Sequence, residues 1–211
     1  MKKHIIISLL VLVFAVSAIS AGTLKAGVSV GGNVAFVGTE PSGDGTPRYG
    51  FTGGVYGEYD FYSLGEMVDL SVQSGLYYTM KGFRTEMDVA PTVSTDLSVN
   101  NDYIEMPMLL KASFSLDLPA SPYILVGPSV GYRIINDPST DPEIAFVEAG
   151  AEEKYTNFDA GIVFGAGADL DMGLSIDARF NLGLLNIEDD PSGDNYTKNR
   201  SVSLMVSYSI L

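Results

Sequence analysis

The chain has 211 residues, among them 23 Gly, 12 Tyr, 10 Phe, one His and neither Cys nor Trp, and its 26 acids against 12 Lys and Arg give a formal charge of −14. That length holds one domain with a full core or one small membrane barrel. The lack of Cys removes disulfides, zinc–thiolate sites and thiol chemistry, and the acidic balance would repel nucleic-acid phosphates.

Lys2 and Lys3 precede an apolar run from Ile5 to Ile19, and Ala18-Ile19-Ser20-Ala21 supplies small residues before the composition turns polar. This is the order of a secretory signal with cleavage after Ser20 or Ala21. The run is shorter than the roughly 20 residues of a spanning helix, and no Cys follows it to carry a lipid anchor. The expected division is therefore a signal peptide over 1–21 and an exported domain over 22–211. Cleavage takes away His4, the only His, so the exported chain lacks both the thiol and the imidazole on which most nucleophile activation rests. It also leaves ten cations against 26 anions, a charge of −16.

Beyond the signal the chain alternates at period two, the mark of strands with one apolar face. The first strand sets Leu24, Ala26, Val28, Val30, Val34 and Phe36 against Lys25, Ser29, Gly31 and Asn33, and the second sets Phe51, Val55, Tyr59 and Phe61 against Thr52, Tyr56, Glu58 and Asp60. The third runs from Val68 to about Phe83, with Leu70, Val72, Leu76, Tyr78 and Met80 opposite Asp69, Ser71, Gln73, Tyr77, Thr79 and Lys81. In the fourth, Ile104, Met106, Met108, Leu110, Ala112, Phe114 and Leu116 oppose Tyr103, Glu105, Lys111, Ser113 and Ser115. The fifth places Ile124, Val126, Val130, Tyr132 and Ile134 against Tyr123, Ser129 and Arg133, and the sixth Phe158, Ala160, Ile162, Phe164, Ala166 and Leu170 against Asp159, Gly161, Gly165 and Asp169. Leu174 to Leu184 against Ser175, Asp177, Arg179 and Asn181 make the seventh, and Val202 to Ile210 against Ser203, Ser207 and Ser209 the eighth.

A soluble β-sandwich also alternates, and three further features favour a membrane barrel. The apolar faces of these eight segments carry no charge, as a lipid-facing surface requires when a mid-bilayer Lys or Arg costs about 2–4 kcal/mol. The opposite faces combine Gly and Ser with a dozen charges, which suits a crowded polar interior. The connections alternate in length: Val37 to Arg48, Arg84 to Asn101, Ile135 to Asn157 and Ile187 to Asn199 are long, whereas Tyr62 to Glu66, Asp117 to Ser121 and Asp171 to Gly173 are short. Long loops outside and tight turns in the periplasm are the habit of outer-membrane barrels. The expected fold is thus all-β: an eight-stranded antiparallel up-and-down transmembrane β-barrel with both termini in the periplasm. Aromatic residues near strand ends, such as Tyr49, Tyr132 and Phe158, suit interfacial girdles. Pro107 and Pro128 fall inside strands four and five, where a closed barrel has no free edge, so a bulge or a break in the ladder is expected.

Several elements carry a family resemblance. Gly54-Val55-Tyr56-Gly57-Glu58-Tyr59, Gly75-Leu76-Tyr77-Tyr78 with Lys81-Gly82-Phe83, Tyr103-Ile104-Glu105-Met106-Pro107 ending in Leu110-Lys111, and Gly127-Pro128-Ser129-Val130-Gly131-Tyr132 resemble the outer-membrane β-barrel family that includes the PorT-type proteins of Bacteroidetes. The likeness runs over nearly the whole exported chain, and the Tyr-Ile-Glu-Met-Pro…Leu-Lys element is its most specific part. It implies an outer-membrane barrel of a Gram-negative cell envelope and, less directly, an accessory role in a secretion assembly. Such barrels often end in an aromatic residue read by the barrel-assembly machinery. This chain ends Tyr208-Ser209-Ile210-Leu211, which leaves that recognition to Tyr208.

An eight-stranded barrel is just wide enough for its own side chains. The inward charges are Lys25, Glu58, Asp60, Asp69, Lys81, Glu105, Lys111, Arg133, Asp159, Asp169, Asp177 and Arg179, and buried charges must be paired, so a structural ion-pair network is expected. Lys81 with Glu105, and Arg133 with Asp159, should lie at matching heights on adjacent strands. With seven acids and five bases assigned inward, 19 acids and five bases remain for loops and ends. The third outer loop holds Asp137, Asp141, Glu143, Glu148, Glu152 and Glu153, and the fourth Glu188, Asp189, Asp190 and Asp194. The fourth group is a weak divalent-cation candidate without the ligand spacing of an EF-hand; a solvated, repulsive surface is the plainer account.

The functional expectation is a non-enzymatic outer-membrane barrel without a cofactor. Its acidic outer loops bind or shield, in contact with outer-membrane lipid, lipopolysaccharide and other envelope proteins, and no nucleic acid is among its partners. The alternative is a narrow ion or small-solute channel through the charged lumen.

Overall fold

A computed structural model of the chain describes residues 23–40, 46–90, 93–116, 119–141, 156–186 and 196–211, so the expected signal peptide lies outside the described residues. Eight strands follow in order: β1 (Leu24–Glu40), β2 (Thr46–Leu64), β3 (Val68–Ala90), β4 (Val93–Phe114), β5 (Ala120–Asp141), β6 (Phe158–Leu170), β7 (Leu174–Gly183) and β8 (Tyr196–Ser209). Each pairs antiparallel with its neighbour in sequence, and β8 returns to β1 from Gly27↔Ser209 to Glu40↔Tyr196, which closes the sheet into a barrel. Closure excludes the two-sheet sandwich.

Alternation fixes which side chains face out. Val28, Val30, Val55, Leu76, Leu110, Val126, Phe164 and Leu204 stand exposed on the outer wall, while Ser29, Thr52, Glu58, Gln73, Lys111, Ser129, Asp177 and Ser207 are buried within. This is the reverse of a water-soluble protein, in which the apolar face is the buried one. The interior is not wholly polar. Leu109, Leu125 and Val163 cluster there with Tyr123, and Met205 lies against Tyr56 and Tyr77. These four apolar side chains sit at inward positions that the polar-face pattern of the sequence passes over.

The β2–β3 turn is short because Gly65 takes φ +66°, a left-handed conformation that costs glycine little. At the β6–β7 turn the same region is adopted by Met172 at φ 69°. At the opposite end the strands run beyond the expected loop boundaries: β1 continues to Glu40, β3 and β4 ascend to Ala90 and from Val93, β5 reaches Asp141, and β8 begins at Tyr196. Backbone pairing satisfies N–H and C=O groups whatever the side chains are, so ladders continue after the apolar alternation that marked them has ended. One consequence corrects the expectation of an uncharged outer face. Asp102, Lys198 and Arg200 fall on the outward series of the lengthened β4 and β8, above the apolar band.

The two prolines break ladders without shifting register. Pairing of β3 with β4 skips from Ser74↔Met108 to Tyr77↔Glu105, and that of β4 with β5 skips from Pro107↔Ser129 to Leu110↔Val126. The Ser74 hydroxyl donates to the Pro107 carbonyl at 2.9 Å, replacing part of the lost bonding. A true bulge lies elsewhere, between Asp102 and Tyr103 against β5, and it leaves Ile134 and Ile135 both exposed.

Candidate functional site

The lumen holds the chemistry-bearing side chains, and every strand contributes to it. Toward the turn end, Lys111 on β4 reaches across β3 to Glu58 on β2 at 3.1 Å and across β5 to Asp169 on β6 at 2.9 Å. Glu58 also accepts from Lys25 at 3.4 Å and from Gln73 at 3.3 Å, and Lys25 pairs with Asp60 at 3.0 Å. The Lys111 ammonium lies 4.2 Å from the centre of the Tyr123 ring, whose negative face favours a cation. Asp69 makes no ion pair among the described residues; it accepts from Ser63 at 2.6 Å beside the short turn. Its expected place in the charge network is corrected accordingly, because a position so near the strand end finds a hydroxyl before it finds a cation.

One layer further in, Arg179 and Asp177 share β7, two residues apart on the same face. The guanidinium meets the carboxylate through Nε at 2.5 Å and Nη2 at 3.1 Å, and Nη2 also donates to Gln73 at 3.3 Å. The Tyr123 hydroxyl donates to Asp177 at 2.9 Å. A Cβ on Gly167 would lie 2.5 Å from Asp177 Cβ and 2.7 Å from the Tyr123 ring, so only a glycine on β6 leaves room for that pair.

Toward the long-hairpin end Lys81, 2% exposed, contacts Glu105 at 2.6 Å and Asp159 at 3.2 Å. Asn181 donates to Glu105 at 3.3 Å, and Asn199 donates to Asp159 at 3.0 Å and to the Tyr103 hydroxyl at 3.3 Å. The expectation of matching heights is corrected. Glu105 lies opposite Tyr77, four residues along from Asn101, the partner of Lys81; the long lysine stem covers that diagonal. Arg133 donates to Asn157 at 3.0 and 3.2 Å and to Asn101 at 3.5 Å, while Asp159 takes Lys81 from the far side of the barrel.

Between the Arg179 and Lys81 layers lies a chamber of about 40 Å³, lined by Thr52, Tyr77, Thr79, Glu105, Ser129, Arg179, Asn181, Ser201 and Ser203 together with the apolar Pro107, Val163 and Met205. That volume accommodates a very few water molecules. Among the described residues the buried Tyr77 hydroxyl at its edge makes no hydrogen bond.

An ion pair that the sequence did not suggest crosses the wall. Between Pro47↔Phe83 and Thr52↔Thr79 the β2–β3 ladder has no pairs. Arg48 occupies this gap, donating to the Lys81 carbonyl and bonding Asp102 at 3.0 Å, and Tyr78 donates to the other Asp102 oxygen. Asn33 donates to the Met80 carbonyl at 2.6 Å in the same gap. The sequence pattern leaves Arg48 at the end of a loop, and the pairing register gives it this role.

Among the described residues no group of three or more acidic or imidazole side chains is arranged to hold a metal ion. The candidate cation ligands Glu188, Asp189, Asp190 and Asp194 lie outside the described residues.

A family model described as an outer membrane protein beta-barrel domain matches residues 18–189. The chain belongs to that family. No curated protein matches the sequence. Among solved structures the barrel is similar to Ail, the attachment invasion locus protein of Yersinia pestis, at 15% identity, with 88% of this chain and 98% of that one covered and a TM-score of 0.42. It is similar also to Neisserial surface protein A, at 13% identity over 90% and 99% of the two chains with a TM-score of 0.46. The outer membrane enzyme PagL matches at 15% identity over 85% and 98%, with a TM-score of 0.44. Family membership and closed eight-stranded topology together assign an outer-membrane β-barrel.

Proposed function

We propose that the protein is a non-enzymatic outer-membrane barrel whose surface above the membrane, and not its lumen, performs the biological task. The observation that carries this reading is the column of interlocking side chains from Lys25 to Arg133, which fills the interior and ties opposite walls together. A lumen so occupied supports the wall in place of conducting through it. The acidic composition and the lengthened hairpins then belong to a structure that displays or shields, and the resemblance to PorT-type proteins adds an accessory role in an envelope or secretion assembly. In this reading residues 1–21 direct export and are removed, both termini and the short turns face the periplasm, and the long hairpins face outward. Barrel-assembly machinery, outer-membrane lipid and lipopolysaccharide are the expected partners.

Planar-bilayer recording of the refolded exported chain tests this directly. The expected trace has no discrete conductance steps. Reproducible steps, abolished by a bulky substitution such as Ser201→Trp beside the chamber, would instead favour the second reading, a narrow ion or small-solute path, which the chamber between the two charged layers supports. Calcium titration of the same sample tests the acidic group Glu188, Asp189, Asp190 and Asp194; saturable binding lost in a variant neutralising all four would establish it as a cation site.

A further inference from the structure

We propose that Lys198 and Arg200 form a site on the lipid-facing side of β8 for the phosphate groups of an outer-leaflet glycolipid. The site rests on the orientation given above, with the long hairpins outward. Both residues belong to the outward series that continues through Val202, Leu204, Val206 and Tyr208, because the intervening Asn199, Ser201, Met205 and Ser207 are buried in the lumen. Arg200 lies in register between Phe36 on β1 and Leu182 on β7.

Among the described side chains, these two cations are set apart by having no partner. Lys25, Arg48, Lys81, Lys111 and Arg179 each pair with a carboxylate, and Arg133 is bonded to asparagines. Lys198 and Arg200 have no partner among the described residues, and Arg200 Nε is buried without a hydrogen bond. A desolvated guanidinium N–H left unbonded is costly.

Position selects the ligand. Eight residues separate Arg200 from Tyr208, which is about 26 Å along the strand and roughly 20 Å of depth at a typical tilt of about 40°. Arg200 therefore stands near the outer limit of the apolar band, where an arginine head can reach the interface while its stem stays in lipid. Successive outward residues on a strand are about 6.5–7 Å apart, so one phosphate can accept from both heads or each head can take one of two phosphates. A planar guanidinium is well suited to phosphate.

Native mass spectrometry of the refolded exported chain, with bisphosphorylated lipid A, dephosphorylated lipid A and phosphatidylglycerol as probes, tests the site. The expected result is retention of bisphosphorylated lipid A, weakened at least tenfold in Lys198→Gln/Arg200→Gln, and little retention of the dephosphorylated form. Equal retention by wild type and variant, or of both lipid A forms, overturns the site. Phosphatidylglycerol held as tightly as lipid A overturns the glycolipid assignment. Faster gel migration before heating verifies that the variant is folded, and the two single variants serve if the double one is not. Because the chain has no Cys, labelling of Gly43→Cys in intact cells reports orientation separately: failure there removes the outer-leaflet placement while the lipid result stands by itself.

Discussion

Toward the turn end of the lumen Glu58 accepts from Lys111, Lys25 and Gln73, whereas toward the long hairpins Asp159 shares Lys81 with Glu105 and leaves its second oxygen, Oδ1, without a partner. Two lysines thus serve three carboxylates in the first region, with Lys25 and Asp169 partly open to solvent. In the second, one fully enclosed lysine holds two carboxylates, each of which also accepts from an asparagine. Glu58 thus draws on two lysines, whereas Glu105 and Asp159 share Lys81.

Substitutions that remove one cation at a time break this comparison most directly. Lys81→Met should lower the stability of the refolded barrel by about 3–5 kcal/mol, read from urea unfolding followed by gel mobility, because it leaves Glu105 and Asp159 facing each other unneutralised. Lys111→Met should cost less, roughly half of that, since Lys25 still serves Glu58 and Asp169 retains Ser175 at 2.7 Å. An equal or larger loss for Lys111→Met would show that the two layers do not differ as described. Glu105→Gln should cost about 1.5–3 kcal/mol, because Lys81 keeps Asp159; an unchanged melting point in detergent would remove that position from any structural network. Ser74→Ala, away from both layers, should cost about 1 kcal/mol through loss of the bond to the Pro107 carbonyl.

The turn end was legible in the sequence because apolar alternation there continues almost to the turns, and Tyr62 to Glu66 and Asp171 to Gly173 mark the reversals. The long-hairpin end was less so. Once a ladder leaves the membrane nothing requires its outward residues to be apolar, so β8 was read from Val202 although it begins at Tyr196. Arg48, Asp102, Lys198 and Arg200 were passed over for that reason. Inward charges such as Lys81, Glu105 and Asp177 could be assigned from parity alone, but not their partners. Parity gives the side of the wall on which a residue lies; Lys81 finding Asp159 across the barrel depends on strand tilt and register, which no local pattern encodes. Leu109, Leu125, Val163 and Met205 escaped notice because a lumen of fixed width needs volume as well as polarity.

The paired ladder breaks at Pro107 and Pro128 give the barrel wall a mechanical character. A closed sheet resists deformation through the hydrogen bonds that encircle it like hoops, and here neighbouring hoops are cut on both seams of β4 at one level. The cross-section can therefore flex along that seam, as it can where the β2–β3 ladder is open between Pro47 and Thr52. Amide exchange should be fastest there, around Gly75 to Leu76 and Met108 to Leu109, despite their distance from either rim. Lateral pressure in the bilayer would then be absorbed at these openings in the wall, sparing the charged layers that hold the interior together.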